Sequence, residues 1–107
     1  MSNIDMNVTV SGQEPNETVT CPDTDVAKGQ GNVVLNWNMI SASWAITGLD
    51  GLPDSEFKGK SKKGGTGYKC TDKNDAANNY SYTIEVTHTP TGRKLYHDPT
   101  IRNGGPN

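Results

Sequence analysis

From Tyr80 to His88 the chain reads YSYTIEVTH, with Tyr80, Tyr82, Ile84, Val86 and His88 on odd steps and Ser81, Thr83, Glu85 and Thr87 between them. A repeat of two is the side-chain period of an extended strand; a helix would scatter those apolar residues around its axis. Pro90-Thr91-Gly92 then supplies a reversal and Lys94 to Ile101 returns, which predicts a β-hairpin. No window in the chain carries the 3.6-residue period of a long amphipathic helix, so the hairpin must find its cover among other strands.

Those strands are legible upstream. Asn7–Ser11 and Glu17–Cys21 alternate around the turn-prone GQEPN. Cys21 to Gly31 reads as a loop by its Pro, Asp and Gly content, with room for one helical turn over 23–28. Asn32–Met39 places Val33, Leu35, Trp37 and Met39 on one face, and Trp37 is expected in the core. Ser43–Leu49 is a strand of ambiguous face, since Trp44 and Ile46 alternate on one side and Ala45, Thr47 and Leu49 on the other. Pro53–Gly67 is a polar loop anchored by Phe57, Tyr68–Asp72 a strand, and the stretch 73–79 a loop. About seven strands in 107 residues predict a single domain over 1–107, all-β, a two-sheet antiparallel sandwich of immunoglobulin-like type with a flexible tail at 103–107.

The pattern Y-x-Y-x-I-x-V, then G-x-x-L-x-x-D-P-x-I-x-N, falls on Tyr80, Tyr82, Ile84, Val86, Gly92, Leu95, Asp98, Pro99, Ile101 and Asn103. Together with the Trp-bearing strands from Asn32 onward it resembles small uncharacterised bacterial immunoglobulin-like β-sandwich proteins. The resemblance implies a fold and no activity. The antibody hallmark of Cys, core Trp and Cys is only imitated, because Cys70 does not sit on the Tyr-rich penultimate strand.

Hydrophobic residues make up 31% and charged residues 21%, with a net charge of −2, so the chain lacks the charge excess that holds disordered proteins open. The same balance argues against nucleic acid, whose phosphates need a clear basic excess. No apolar run is long enough to span a membrane. MSNIDMNVTV has neither the basic start nor the apolar run of a secretory signal, and the retained Met1 favours the cytoplasm.

Candidate chemistry is sparse. Gly59 to Gly67 (GKSKKGGTG) fails as a phosphate loop: Asp54 stands where the first glycine belongs, and a strand follows where a helix is needed. Asp72-Lys73-Asn74-Asp75 starts like a calcium loop, but Ala77 replaces the sixth-position glycine and the twelfth position is no Glu; an Asx-rich turn is expected, though weak calcium sites need no motif. His88 and His97, on opposed strands out of register, supply two ligands where zinc wants three or four. His88 therefore reads as a core-edge side chain and Asp98 as a cap on local amides. Catalytic residues, metals and cofactors are expected to be none. Cys21 and Cys70 allow one disulfide, or two buried thiols in a reducing compartment.

Tyr68, Tyr80, Tyr82, Tyr96 and Trp44 cannot all be buried with their polar atoms satisfied in so small a core. The expected function is accordingly a non-enzymatic module that pairs with another protein or itself through an edge strand or sheet face, with Trp44, Tyr68, Tyr80, Tyr96 and Asp98 as candidate contact residues. The alternative is a small glycan- or ligand-binding module using the exposed Tyr and Trp with Asp50 or Asp98.

Overall fold

A computed structural model describes residues 2–104. Every element among them is a strand: β1 (Ser2–Ser11), β2 (Thr18–Thr20), β3 (Thr24–Val26), β4 (Val33–Met39), β5 (Trp44–Asp50), β6 (Phe57–Lys63), β7 (Gly67–Asp72), β8 (Ala77–Ser81), β9 (Thr83–His88), β10 (Lys94–His97) and β11 (Thr100–Gly104). They form three hydrogen-bonded sheets, ordered β2-β1-β4-β7-β6, β10-β9-β5 and β3-β11-β8.

Eleven strands stand where about seven were expected. Two of the additional ones lie in stretches that read as loops. The helical turn expected over 23–28 is instead β3, whose Thr24 and Val26 are buried. The lysine-rich run is β6, which buries Phe57 and leaves most of its lysines exposed. The remaining two arise because each arm of the C-terminal hairpin is interrupted, at Tyr82 and at Asp98-Pro99, where proline cannot donate a ladder hydrogen bond. The register does not slip at these breaks. It runs from Lys94↔Thr87 to His97↔Ile84 and resumes in step from Thr100↔Ser81 to Gly104↔Ala77, with Tyr82 N–H donating to Pro99 O at 3.1 Å between them.

The antiparallel expectation also needs correction. β1 runs parallel to β4, to which it is connected through β2 and β3, and β3 runs parallel to β11, with β4 to β10 between them in the chain. Asn103 and Gly104 belong to β11 rather than to a tail, and Asn103 is buried; residues 105–107 lie outside those described.

One core fills the space between the sheets. Trp37, Phe57, Met6, Leu35, Ile46, Ile84 and Ile101 are its largest fully buried side chains. Trp37 sits at its centre, where its Nε1–H donates to the Tyr82 hydroxyl at 2.8 Å and the two rings meet edge to face at 5.9 Å. The ambiguous face of β5 is resolved by a bulge. Trp44 pairs His88 and Ile46 pairs Val86, then the register shifts and Leu49 pairs Ile84. The extra residue near Thr47 reverses the alternation and keeps Trp44, Ile46 and Leu49 opposite the inward side chains of β9.

Candidate functional site

The candidate contact residues are dispersed. Trp44 is only 7% exposed, with the His88 ring 4.9 Å from its own and the Arg93 guanidinium 5.7 Å from its ring centre. It is a core residue and offers no stacking surface. Tyr68 and Tyr80 are half-buried, and Tyr80 meets Phe57 edge to face at 4.9 Å. Tyr96, 60% exposed, is the aromatic that faces solvent. Asp98 is exposed and does not cap backbone amides: its Oδ1 accepts from Thr83 Oγ1 at 2.7 Å, and the Thr100 amide is capped by Asp23 at 2.9 Å instead.

The imidazoles are separate. His88 N–H donates to Arg93 O and its Nδ1 lies 2.8 Å from Thr91 Oγ1, whereas His97 pairs Ile84. His88 thus opposes Arg93 and His97 opposes Ile84, so the two imidazoles are not cross-strand partners, as their out-of-register positions in the sequence predict. Arg93 also forks onto Glu17, with bonds of 3.1 and 2.6 Å, and this pairing holds the Glu17 carboxyl below its ordinary range.

Cys21 and Cys70 are buried free thiols, so the available disulfide is not formed. Cys21 Sγ faces the Tyr82 hydroxyl at 3.8 Å. Burial pushes the two thiols up to about 11 and about 12 and drives the Tyr82 phenol well above its usual range.

An open depression of about 260 Å³ lies where the hairpin is interrupted, lined by Asp50, Gly51, Ser81, Tyr82, Thr83 and Asp98. It brings Asp50 and Asp98 together, but none of the exposed or half-exposed aromatics joins them.

The most unusual chemistry lies elsewhere, where the β5–β6 and β7–β8 connections meet β11. The Glu56 and Phe57 amides donate to Pro53 O, and the Lys73 amide to Glu56 O, which draws Glu56 inward until it is only 6% exposed. Asp72, at the end of β7, is completely buried; its Oδ1 accepts from the Asn74 amide and from Asn103 Nδ2, both at 2.9 Å. That Asx turn holds Asn74 at φ +53°, a left-handed conformation that Asn tolerates. Asn103 Nδ2 also donates to Glu56 Oε2 at 3.1 Å, and Asn74 Nδ2 to Ala27 O at 2.9 Å. Gly104 allows this assembly, since a Cβ there would stand 2.5 Å from Lys28 N. Burial raises the Asp72 and Glu56 carboxyls above their ordinary range; Asp75 is held low, first by Glu56 and then by Lys73.

Three oxygens of this cluster, Asp72 Oδ2, Asn74 Oδ1 and Asn103 Oδ1, are buried without a hydrogen-bond partner. The other buried polar atom of that kind, Arg93 Nε, is 3.2 Å from Glu14 Oε1 and so is accounted for by an ion pair. Among the described residues no three His, Cys, Asp or Glu side chains converge as a metal centre, so a cation at this pole must draw on amide oxygens as well. Asn103 and Glu56 carried no site expectation. The available signal was the alternation itself, which puts Asn103 on the buried face two residues after Ile101.

No protein-family model matches the chain, and no curated protein matches it in sequence. No helix among the described residues is long and apolar enough to cross a membrane.

Proposed function

We propose that the domain is a non-enzymatic interaction module of immunoglobulin-like architecture that associates with a second copy of itself through β8. In this reading the in-step hairpin arms join the two three-stranded sheets into one layer, which packs against the five-stranded sheet as a sandwich. The observation that carries the functional reading is the contrast between edge strands. β6 is studded with Lys58, Lys60, Lys62 and Lys63 and interrupted by a register shift, which are devices that discourage pairing. β10 is flanked by the Arg93 ion pairs to Glu14 and Glu17. β8, with the sequence ANNYS, is uncharged and mostly exposed along its five residues.

Since Tyr82 N–H points to Pro99, alternation turns the amides of Ala77, Asn79 and Ser81 away from β11. The Asn79 amide is covered only by the exposed Asn78 side chain, at 2.9 Å. An antiparallel β8–β8 pairing centred on Asn79 is self-complementary and closes as a two-fold dimer. Analytical ultracentrifugation over a wide concentration range tests it. A reversible dimer is expected, and Asn79→Pro should abolish it with the fold intact, because Asn79 donates nothing to β11. A strict monomer, or a dimer indifferent to Asn79→Pro, sinks the proposal.

The depression shared by Asp50 and Asp98 supports a second reading, a polyol or glycan site in which the carboxylates accept from sugar hydroxyls. A glycan array with Asp50→Asn as control checks it, and no binding on the array removes it.

A further inference from the structure

We propose that the pole built from Glu56, Asp72, Asn74, Asp75 and Asn103 is a binding site for a hard divalent cation, calcium in preference to magnesium. Hydrogen bonds through Asp72 Oδ1 and Asn103 Nδ2 join the three residues that bear the partnerless oxygens into one network with Glu56. Buried acceptors without donors are costly, and native proteins rarely retain several together. A single water has two hydrogens to offer three oxygens, and it brings no charge to offset the neighbouring carboxylates. The cation paired within the cluster is Lys73, whose Nζ is 3.2 Å from Asp75 Oδ2 and not at the buried oxygens.

A mixture of carboxylate and amide oxygens, with no thiol or imidazole, is the donor set of calcium and not of zinc. The donors are fixed on three separate segments, which suits the irregular, larger shell of calcium better than the strict octahedron of magnesium. Asn74 and Asn103 are held with their Nδ2 groups committed to Ala27 O and to the carboxylates, which fixes which end of each amide is an oxygen. A bound ion would tie the β5–β6 and β7–β8 connections to β11. The proposal does not depend on β8 pairing.

The test is calorimetric titration of the full chain, stripped with chelator, with calcium chloride and then magnesium chloride, accompanied by thermal melts. We expect saturable binding of one calcium with a dissociation constant on the order of 10⁻³ M or tighter, a rise in melting temperature with calcium, and a weaker response to magnesium. Asp72→Asn keeps the Oδ1 acceptor that serves Asn74 and Asn103, so it should fold, and it should bind calcium at least about tenfold more weakly because a charged ligand is lost. If that variant fails to fold, Asp75→Asn, at an exposed position, must weaken calcium several-fold. Absence of calcium heat and of any melting shift in the native chain overturns the proposal. So does an undiminished calcium response in a folded Asp72→Asn chain, or in Asp75→Asn where that variant has to stand in for it.

Discussion

Around Trp37 and Tyr82 the buried polar atoms find one another, whereas around Asp72, Asn74 and Asn103 three oxygens are left over. Both regions are equally dry: Trp37 and Asp72 are each 0% exposed. The difference is in what the surroundings supply. At the centre an indole N–H meets a phenol oxygen and a thiol completes the set, so the polar atoms add direction to apolar packing. At the pole three buried acceptors are left without donors, which is a poor way to stabilise a fold and a reasonable way to hold a cation. If the pole binds a cation as proposed, the centre serves folding and the pole binding, and that division can be tested by substitution.

The largest effect should come from Trp37→Ala, which removes the biggest buried side chain and should cost about 3–5 kcal/mol or prevent folding. Denaturant unfolding followed by circular dichroism measures it. A loss under about 1 kcal/mol would mean the centre is not the keystone and would dissolve the contrast.

Next are the thiols. Both Cys21 and Cys70 have folded-state pKa values raised above 9.0, to about 11 and about 12, by burial. The raised values mean that the folded chain holds these protons more tightly than the unfolded one. The stability linked to them is therefore complete below pH 9 and is lost as pH rises toward 11 and 12, on the order of 3 kcal/mol for Cys21 and about 4 kcal/mol for Cys70. Melting curves from pH 8 to 11 should fall less steeply for Cys21→Ala than for the native chain, and folded protein should resist alkylation at pH 8. Fast alkylation without unfolding would place the thiols outside the dry centre.

Smaller again is the paired comparison of Tyr82→Phe with Asp72→Asn in metal-free buffer. Tyr82→Phe strips the acceptor from the Trp37 Nε1–H and should cost about 1–3 kcal/mol. Asp72→Asn keeps its accepting oxygen and removes a buried charge, so it should cost less than Tyr82→Phe or raise the melting temperature outright. The reverse order would show that the pole, without a cation, is already a stabilising network.

The long alternations predicted the elements well. The hairpin arms, β4 with Trp37 inward, and β7 are where period two places them, because each has one face on the core. β6 was obscured because its lysines lie on both sides of an edge, leaving Phe57 as its main inward marker. β3 is three residues long, too short to display a period. Trp44 stood among the candidate contact residues because so many aromatics exceed a small core and the face of its strand is ambiguous in the sequence; the bulge beside Thr47 is what hides that face, and Trp44 is buried. The pole was illegible for a different reason: its bonds join Glu56 to Asn103, Asp72 to Asn103 and Ala27 to Asn74, across separations that no local pattern encodes.

The smallest effects are expected at the two histidines, which sharpen the contrast from the side of the partnered groups. His88 lies against Trp44 with its Nδ1 beside Thr91 Oγ1, and His97 is half-buried opposite Ile84 on the neighbouring strand. Neither is joined by a third ligand among the described residues. His88→Gln should lower stability by about 1 kcal/mol through lost ring packing, and His97→Gln by less. Zinc should leave the melting temperature of all three chains unchanged, since an ion stabilises only a folded state that offers it a site, while calcium should raise all three alike through the distant oxygens of the pole. A zinc-dependent rise that disappears in His97→Gln would move the metal chemistry of this domain from the pole to the hairpin.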